Sequence, residues 1–293
     1  MPSPPFSPNG FSGVVRVGGE AWAFGSADRA HQIPNRIDTQ FAIASGVKGF
    51  TALVAVSTLP LTLRVRELLG DDLPLVDDRV TVEHLLRHTS GIGDYLDEDV
   101  HSDWEEYLMP IPVHELATTS AYLRVLDGHA QKFTPGERFS YSNSGFVLLA
   151  VLAERASGRS FYDLVDELVC RPADMRATAF LRSDSLPGTA AIGYLSDGRT
   201  NVFHLPVRGS GDGGIYTSAA DMTRFWEWFV HHDWYEPMTT GDRYGLGFWL
   251  DPLHLEGIDA GVWFMSRPGR YTALSNDPST APPVARALRQ LAG

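Results

Sequence analysis

Strand-like runs stand at both ends of this chain and helix-patterned runs lie between them, so the sheet they imply has to be closed by both ends of the sequence. Near the start, segments 11–17 and 20–24 flank Gly18-Gly19, the pattern of two strands joined by a tight turn. Near the end, 244–250, 260–265 and 271–275 read as three strands separated by turns, followed by a helix at 283–291. Between them, a helix is predicted from about Ser45 to Val56, stopped before Pro60, and a short one is capped by Thr81. A strongly apolar helix follows over 146–155, ended by Gly158, and another over 219–229, capped by Ser218. A length of 293 residues suits one domain of two packed lobes. The expected division is a sheet lobe from about 1–60 and 210–293 and a helical lobe from about 61–209.

Charge narrows the function classes. With 24 Lys+Arg against 36 Asp+Glu the formal charge is −12, which disfavours a broad nucleic-acid or anionic-membrane surface but leaves room for a local basic pocket. Cys170 is the single cysteine, so an intramolecular disulfide and a cysteine-rich metal site are both excluded, and its apolar neighbours favour burial over reactivity. The proline-rich opening has no positive leader and no continuous apolar segment, which makes cytoplasmic residence the expectation. No uninterrupted apolar run is long enough to span a bilayer.

Ser45-Gly46-Val47-Lys48 places a hydroxyl and an amine one helical turn apart on the same face. The apolar run 41–44 before it carries the pair toward the interior, where desolvation lowers a lysine pKa and makes it a usable base. In the first turn of a helix, the N-terminal partial charge acts in the same direction. Alone the spacing is commonplace, and so is Tyr141-Ser142-Asn143 ahead of the apolar helix, which by itself reads as a capping turn. The glycine-rich stretch 209–214 lacks the spacing of a phosphate loop. His84 and His88 stand four apart, as zinc ligands can, but no third ligand is apparent, and His231-His232 reads as a solvated turn. Trp226, Trp228, Phe229, Trp234 and Tyr235 read as packing, some of it available to line an acyl pocket, and Asp94-Tyr95 can reach a cleft rim.

Taken together and in order, Ser45-x-x-Lys48, the segment 85–91, Tyr141-Ser142-Asn143 and the segment 213–221 resemble the serine β-lactamase and penicillin-binding-protein family. The branch they resemble most holds the class C β-lactamases and family VIII esterases, whose second motif is Tyr-x-Asn. The resemblance implies an α/β (α+β) fold of β-lactamase/transpeptidase type, with an antiparallel sheet flanked by helices plus an all-helical lobe. It also implies a Ser45 nucleophile forming an acyl-enzyme, Lys48 and Tyr141 sharing the proton transfers in an order left open, and Asn143 orienting the lysine and binding substrate. The oxyanion hole would use the Ser45 N–H and one N–H from a C-terminal strand. The best positional match to the family's third motif is Leu255-Glu256-Gly257, which makes Gly257 and the Ile258 N–H the substrate-binding candidates.

There the chain departs from the pattern, because Leu255 stands where the family has Lys or His, and leucine cannot pair with a carboxylate. Strand alternation turns His254 to the opposite face, while Arg267 or Arg270 could stand in from a loop or be surface residues. An ester, amide or lactone without a carboxylate at that point fits better than penicillin. D-amino-acid peptidase, β-lactamase and a catalytically retired binding protein are the alternatives. No metal or organic cofactor is implied, and the expected partner is a small-molecule ester, amide or peptide rather than nucleic acid.

Overall fold

The structure, a computed structural model, describes residues 3–6, 9–101 and 103–291. Its main sheet has six antiparallel strands in the order β2-β1-β10-β9-β8-β7. The N-terminal pair is β1 (Gly13–Val17) and β2 (Glu20–Phe24), with Val17 opposite Glu20 across the Gly18-Gly19 turn as the pattern predicts. Two short ladders follow: β3 (Ser26–Asp28) pairs with β4 (Ile33–Pro34), and β5 (Phe41–Ala42) pairs with β6 (Tyr216–Thr217). The C-terminal strands are β7 (Trp249–Leu250), β8 (Leu253–Asp259), β9 (Val262–Arg267) and β10 (Tyr271–Ser275). β10 pairs with β1, which joins the two ends of the chain in one sheet.

The sequence pattern overstates one of these strands and understates another. Of the run 244–250 only β7 is a strand, because residues 244–248 are buried and the chain turns at Gly247, whose φ is +85°. The segment holding Leu255, Glu256 and Gly257 instead forms β8, which pairs with β7 only at 253–254, so its outer edge from 255 onward has no strand neighbour.

Between the strands the chain is helical: α1 (Lys48–Thr58), α2 (Arg66–Leu69), α3 (Val82–Leu86), α4 (Leu123–Leu126), α5 (Asn143–Ser157) and α6 (Phe161–Val165). After β6 come α7 (Ala219–Phe229), α8 (Tyr235–Met238) and the final α9 (Pro282–Leu291). Thr81 caps α3 and Ser218 caps α7 as predicted, their side chains accepting from His84 N and Asp221 N. α5 starts three residues earlier than its apolar run, because the Ser142 hydroxyl accepts from Gly145 N at 3.0 Å and draws Asn143 into the first turn. Gly158, at φ +68°, ends it.

α1 and α5 are apolar nearly all round, so both are core helices rather than surface ones. They share one hydrophobic cluster with α7 and one sheet face, including Val14, Phe264 and Leu274. A second cluster lies on the opposite face, where Val284 and Leu288 of α9 pack with Val15, Met265, Tyr271 and Ala273. Cys170 is buried in the first cluster, which pushes its thiol up to about 12 and agrees with a packing role. Among the described residues no helix is long and apolar enough to cross a membrane.

Candidate active site

A one-turn 3₁₀ segment, Ala44–Val47, leads directly into α1, so Ser45 and Lys48 occupy the first turn of one continuous helix. Ala44 before the serine is held at φ +44°, a left-handed conformation that costs a non-glycine residue energy and aims the next side chain off the helix start. Close packing against the sheet fixes this turn. A Cβ on Gly46 would stand 2.4 Å from the Phe264 ring, and one on Gly257 would stand 2.3 Å from Ile43 O and 2.7 Å from Ser45 N. Only glycine at 257 lets β8 run this close to the Ser45 backbone, which places the Leu255-Glu256-Gly257 segment beside Ser45.

The structure brings Ser45, Lys48, Tyr141, Asn143, Gly257 and Ile258 together. Lys48 is 1% exposed, and its Nζ lies 2.8 Å from Ser45 Oγ, 2.8 Å from Asn143 Oδ1 and 3.1 Å from the Asp212 carbonyl. Burial lowers its pKa, opposed by the charges of Asp212, Glu98, Asp94 and Asp259. These three contacts hold Nζ between the Ser45 hydroxyl and two carbonyl-type oxygens. Burial holds the Tyr141 phenol well above 10, with Tyr244 and Glu98 adding to the shift and the Ser45 side chain opposing it. Lys48 Nζ also sits 4.9 Å from the centre of the Tyr141 ring.

Asn143 is oriented by its own donors, since Nδ2 reaches Leu96 O at 3.0 Å and Glu98 Oε1 at 3.2 Å, which turns Oδ1 to the lysine. The start of α5 is pinned by Asp94, whose carboxylate accepts from Asn143 N at 2.7 Å and from Ser144 N and Oγ at 3.1 and 2.9 Å. Sequence reading placed Asp94 and Tyr95 only at a rim. Instead Asp94 anchors α5, and the Tyr95 hydroxyl is hydrogen-bonded to the buried Asp212 carboxylate. Nothing local in the sequence marks Asp94, Glu98, Asp212 or Asp259 as neighbours of Lys48.

His88 packs against the Tyr141 ring. It is fully buried, its Nδ1 accepts from Ser142 N at 3.0 Å, and its ring lies 4.3 Å from that of Tyr141. Desolvation, and next the charge of Lys48, keep its pKa well below the usual histidine value, so it remains a neutral spacer behind the tyrosine. Trp249 stacks on the other side of Tyr141 at 6.0 Å and 7°. The Trp226 and Phe229 rings pack in the core with Phe225 and Phe248.

On β8, Leu255 and Gly257 face the helix, while His254 and Glu256 share the other face with Nε2 and Oε2 3.6 Å apart, as alternation predicts. Leu255 is 2% exposed and packs toward Gly49, so the position of the missing cation is a sealed apolar one. With Ala260-Gly261 as a two-residue turn, Asp259 and Val262 form the pair that exchanges hydrogen bonds, which directs the next N–H outward, that of Ile258, from the free edge of β8. Leu255 pairs with Ser266, next to Arg267, but Arg267 and Arg270 line a groove separate from the cleft and do not stand in for the cation there. The arginines that line the cleft are Arg138, Arg243 and Arg289, and Arg243 lies over the Trp249 ring at 5.4 Å.

The cleft containing Ser45, Tyr141, Gly257 and Ile258 encloses about 670 Å³. A separate, narrower pocket of about 60 Å³ lies on the Ala44 side, lined by Tyr95, Leu205, Val207, Asp212 and Asp259. Burial pushes Asp259 up to about 7 and raises Asp212 from its ordinary value. Among the described residues no group of three or more His, Cys, Asp or Glu could hold a metal ion.

A family model described as Beta-lactamase matches residues 9–288. The chain belongs to the β-lactamase family. Its fold is the β-lactamase/transpeptidase-like one: a penicillin-binding protein from Bacillus halodurans superposes with a TM-score of 0.86 at 33% identity, covering 96% of this chain and 97% of that one. The chain is 33% identical over 238 residues to a D-aminopeptidase of Brucella anthropi, covering 76% of this chain and 42% of that protein. It is 31% identical over 256 residues to the esterase EstB of Burkholderia gladioli, covering 75% and 64%. It therefore spans less than two-thirds of the length of either curated relative.

Proposed function

We propose that this member of the β-lactamase family is a serine hydrolase that works through a Ser45 acyl-enzyme on a small ester, amide or lactone. The observation that carries the reading is the buried Lys48 amine 2.8 Å from Ser45 Oγ, with its two N–H groups already engaged by carbonyl oxygens. Lys48 takes the Ser45 proton as Oγ attacks the substrate carbonyl, and the oxyanion that forms is held by the N–H groups of Ser45 and Ile258. Tyr141 stays a phenol, so its role is relay: it passes a proton to the departing alcohol or amine and is reprotonated from Lys48. Water then attacks the acyl carbonyl, gives its proton to the same pair, and Ser45 leaves with a proton restored. Asn143 keeps the amine aimed at Ser45 throughout.

A fluorophosphonate should add one covalent label, mapped by mass spectrometry to Ser45, and a chromogenic short-chain ester should be hydrolysed. Absence of both labelling and turnover, with Ser45→Ala indistinguishable from the parent, would refute the enzyme reading and leave a binding protein.

One observation favours a second reading, an aminopeptidase-type substrate. The pocket on the Ala44 side carries two carboxylates, Asp212 and Asp259, with Asp259 on the Gly257 face of β8 about 7 Å further along the strand. A substrate ammonium group seated there would be met by opposite charge, in keeping with the D-aminopeptidase of Brucella anthropi among the relatives.

A further inference from the structure

We infer that a second site, away from the acyl chemistry, binds a phosphate-type oxyanion in the groove between the β1–β2 turn, the β9–β10 turn and α7. This groove encloses about 500 Å³, and Arg16, Arg267 and Arg270 line it together with Thr272, Trp226 and Glu227. In a chain of formal charge −12, a cavity lined by three arginines and a single carboxylate is a local reversal of sign.

The position of Arg16 makes the groove more than a patch of surface charge. It lies within β1, opposite Ala21 on one side and Thr272 on the other, and it shares the face of Val14, which packs into the core. Its Nε is shut off from solvent and has no hydrogen-bond partner among the described residues. Arg270 comes from the neighbouring turn, where Gly18 N donates to Arg270 O at 3.2 Å and ties the two turns together. Neither Arg16 nor Arg270 makes an ion pair among the described residues.

Planar guanidinium forks match the tetrahedral oxygens of phosphate, and a dianion is favoured over a monoanion where several forks meet. Trp226 does not compete as a stacking platform, because it is 3% exposed and its Nε1 donates to Ser266 Oγ at 2.8 Å. Glu227 opposes the anion, which gives the assignment a sign that can be checked.

The test is calorimetric titration of the full chain at pH 7.5 and constant ionic strength, with inorganic phosphate, pyrophosphate and long-chain polyphosphate as separate probes. Pyrophosphate should bind saturably with one site per chain. Arg16→Gln with Arg270→Gln should weaken it at least tenfold, and Glu227→Gln should tighten it about twofold or more, with ester turnover unchanged in both. Polyphosphate binding tighter than pyrophosphate would assign the groove to a phosphate-bearing polymer, and equal affinity per site to a small anion. Should the double variant fail to fold, Arg270→Gln alone, on an exposed turn, should still weaken binding severalfold. No saturable binding by the parent, or equal binding by the arginine variants, would overturn the inference. Neither result bears on Ser45 labelling, so the two readings fail separately.

Discussion

The two walls of the cleft are built on different principles. On the helix side every catalytic candidate is a side chain held by other side chains: Lys48 by Ser45 and Asn143, Asn143 by Glu98, and the start of α5 by Asp94. On the strand side the contribution is almost all backbone, with Gly257 against Ser45 N, the Ile258 N–H on the free edge, and a buried leucine where the resemblance calls for a cation. An acylating centre tolerates little variation, because proton transfer needs a donor and an acceptor within hydrogen-bond reach. A strand that offers only N–H groups to an oxyanion can change its side chains wherever, unlike at Gly257, no backbone packs against them. Under the proposed function, the contrast assigns the proton transfers to the helix wall and the choice of substrate to the strand and the loops around it.

The largest effect should come from the helix wall. Lys48→Ala should lower kcat/KM for a short-chain ester about a thousandfold, the scale of a lost general base. The acid limb of the pH profile should go with it. Because burial lowers the Lys48 pKa, the parent gains activity as pH rises through that depressed value, and the variant should be nearly flat there. An unchanged rate or an unchanged limb would transfer the base role elsewhere.

A smaller effect should separate the walls by charge. Four carboxylates act on Lys48 and β8 offers no cation, so a substrate with a carboxylate next to the scissile bond should react about tenfold or more slowly than its neutral methyl ester. Equal kcat/KM values would show that an arginine at the mouth, Arg243 above all, has taken over the missing role. The smallest effect should come from Asp259→Asn, which should raise KM severalfold for an aminoacyl ester above pH 7 and leave its N-acetylated analogue unaffected. Stability should move the other way. A carboxyl raised to about 7 in the folded state favours folding fully below its unfolded value near 3.8, and that contribution is lost as pH rises through about 7. Asp259→Asn should therefore gain on the parent by about 1–3 kcal/mol at pH 8 relative to pH 4, measured by denaturant unfolding at the two pH values.

Much of the helix wall is readable from local spacing. Ser45 and Lys48 are one turn apart, Ser142 caps α5 beside Asn143, and Gly18-Gly19 joins β1 to β2, because each depends on residues within a few positions of one another. The run 244–250 misleads for the opposite reason: an apolar stretch reads the same whether it is a strand or a buried coil, and only the packing of Gly247 against Ala52 and Lys48 separates them. Arg267 and Arg270, open in the sequence between standing in for the cation and lying at the surface, line a groove apart from the cleft, which only the folded chain shows.

By itself the amino-acid sequence determined the order of elements, the closing of the sheet by both chain ends, and the pairing of a serine with a lysine ahead of a Tyr-x-Asn segment. Those are short-range or pattern properties, set by periodicity, caps and turns. The environment that lowers the Lys48 pKa was decided only by tertiary structure. Its desolvation comes from the packing of α1, and the charges that oppose it come from Asp94, Glu98, Asp212 and Asp259, which lie on segments far apart along the chain. The same holds for Gly257, whose lack of a side chain acquires its meaning only when β8 is laid against the Ser45 backbone. Burial and Coulomb energy depend on distances through space, and those exist only once the chain has folded.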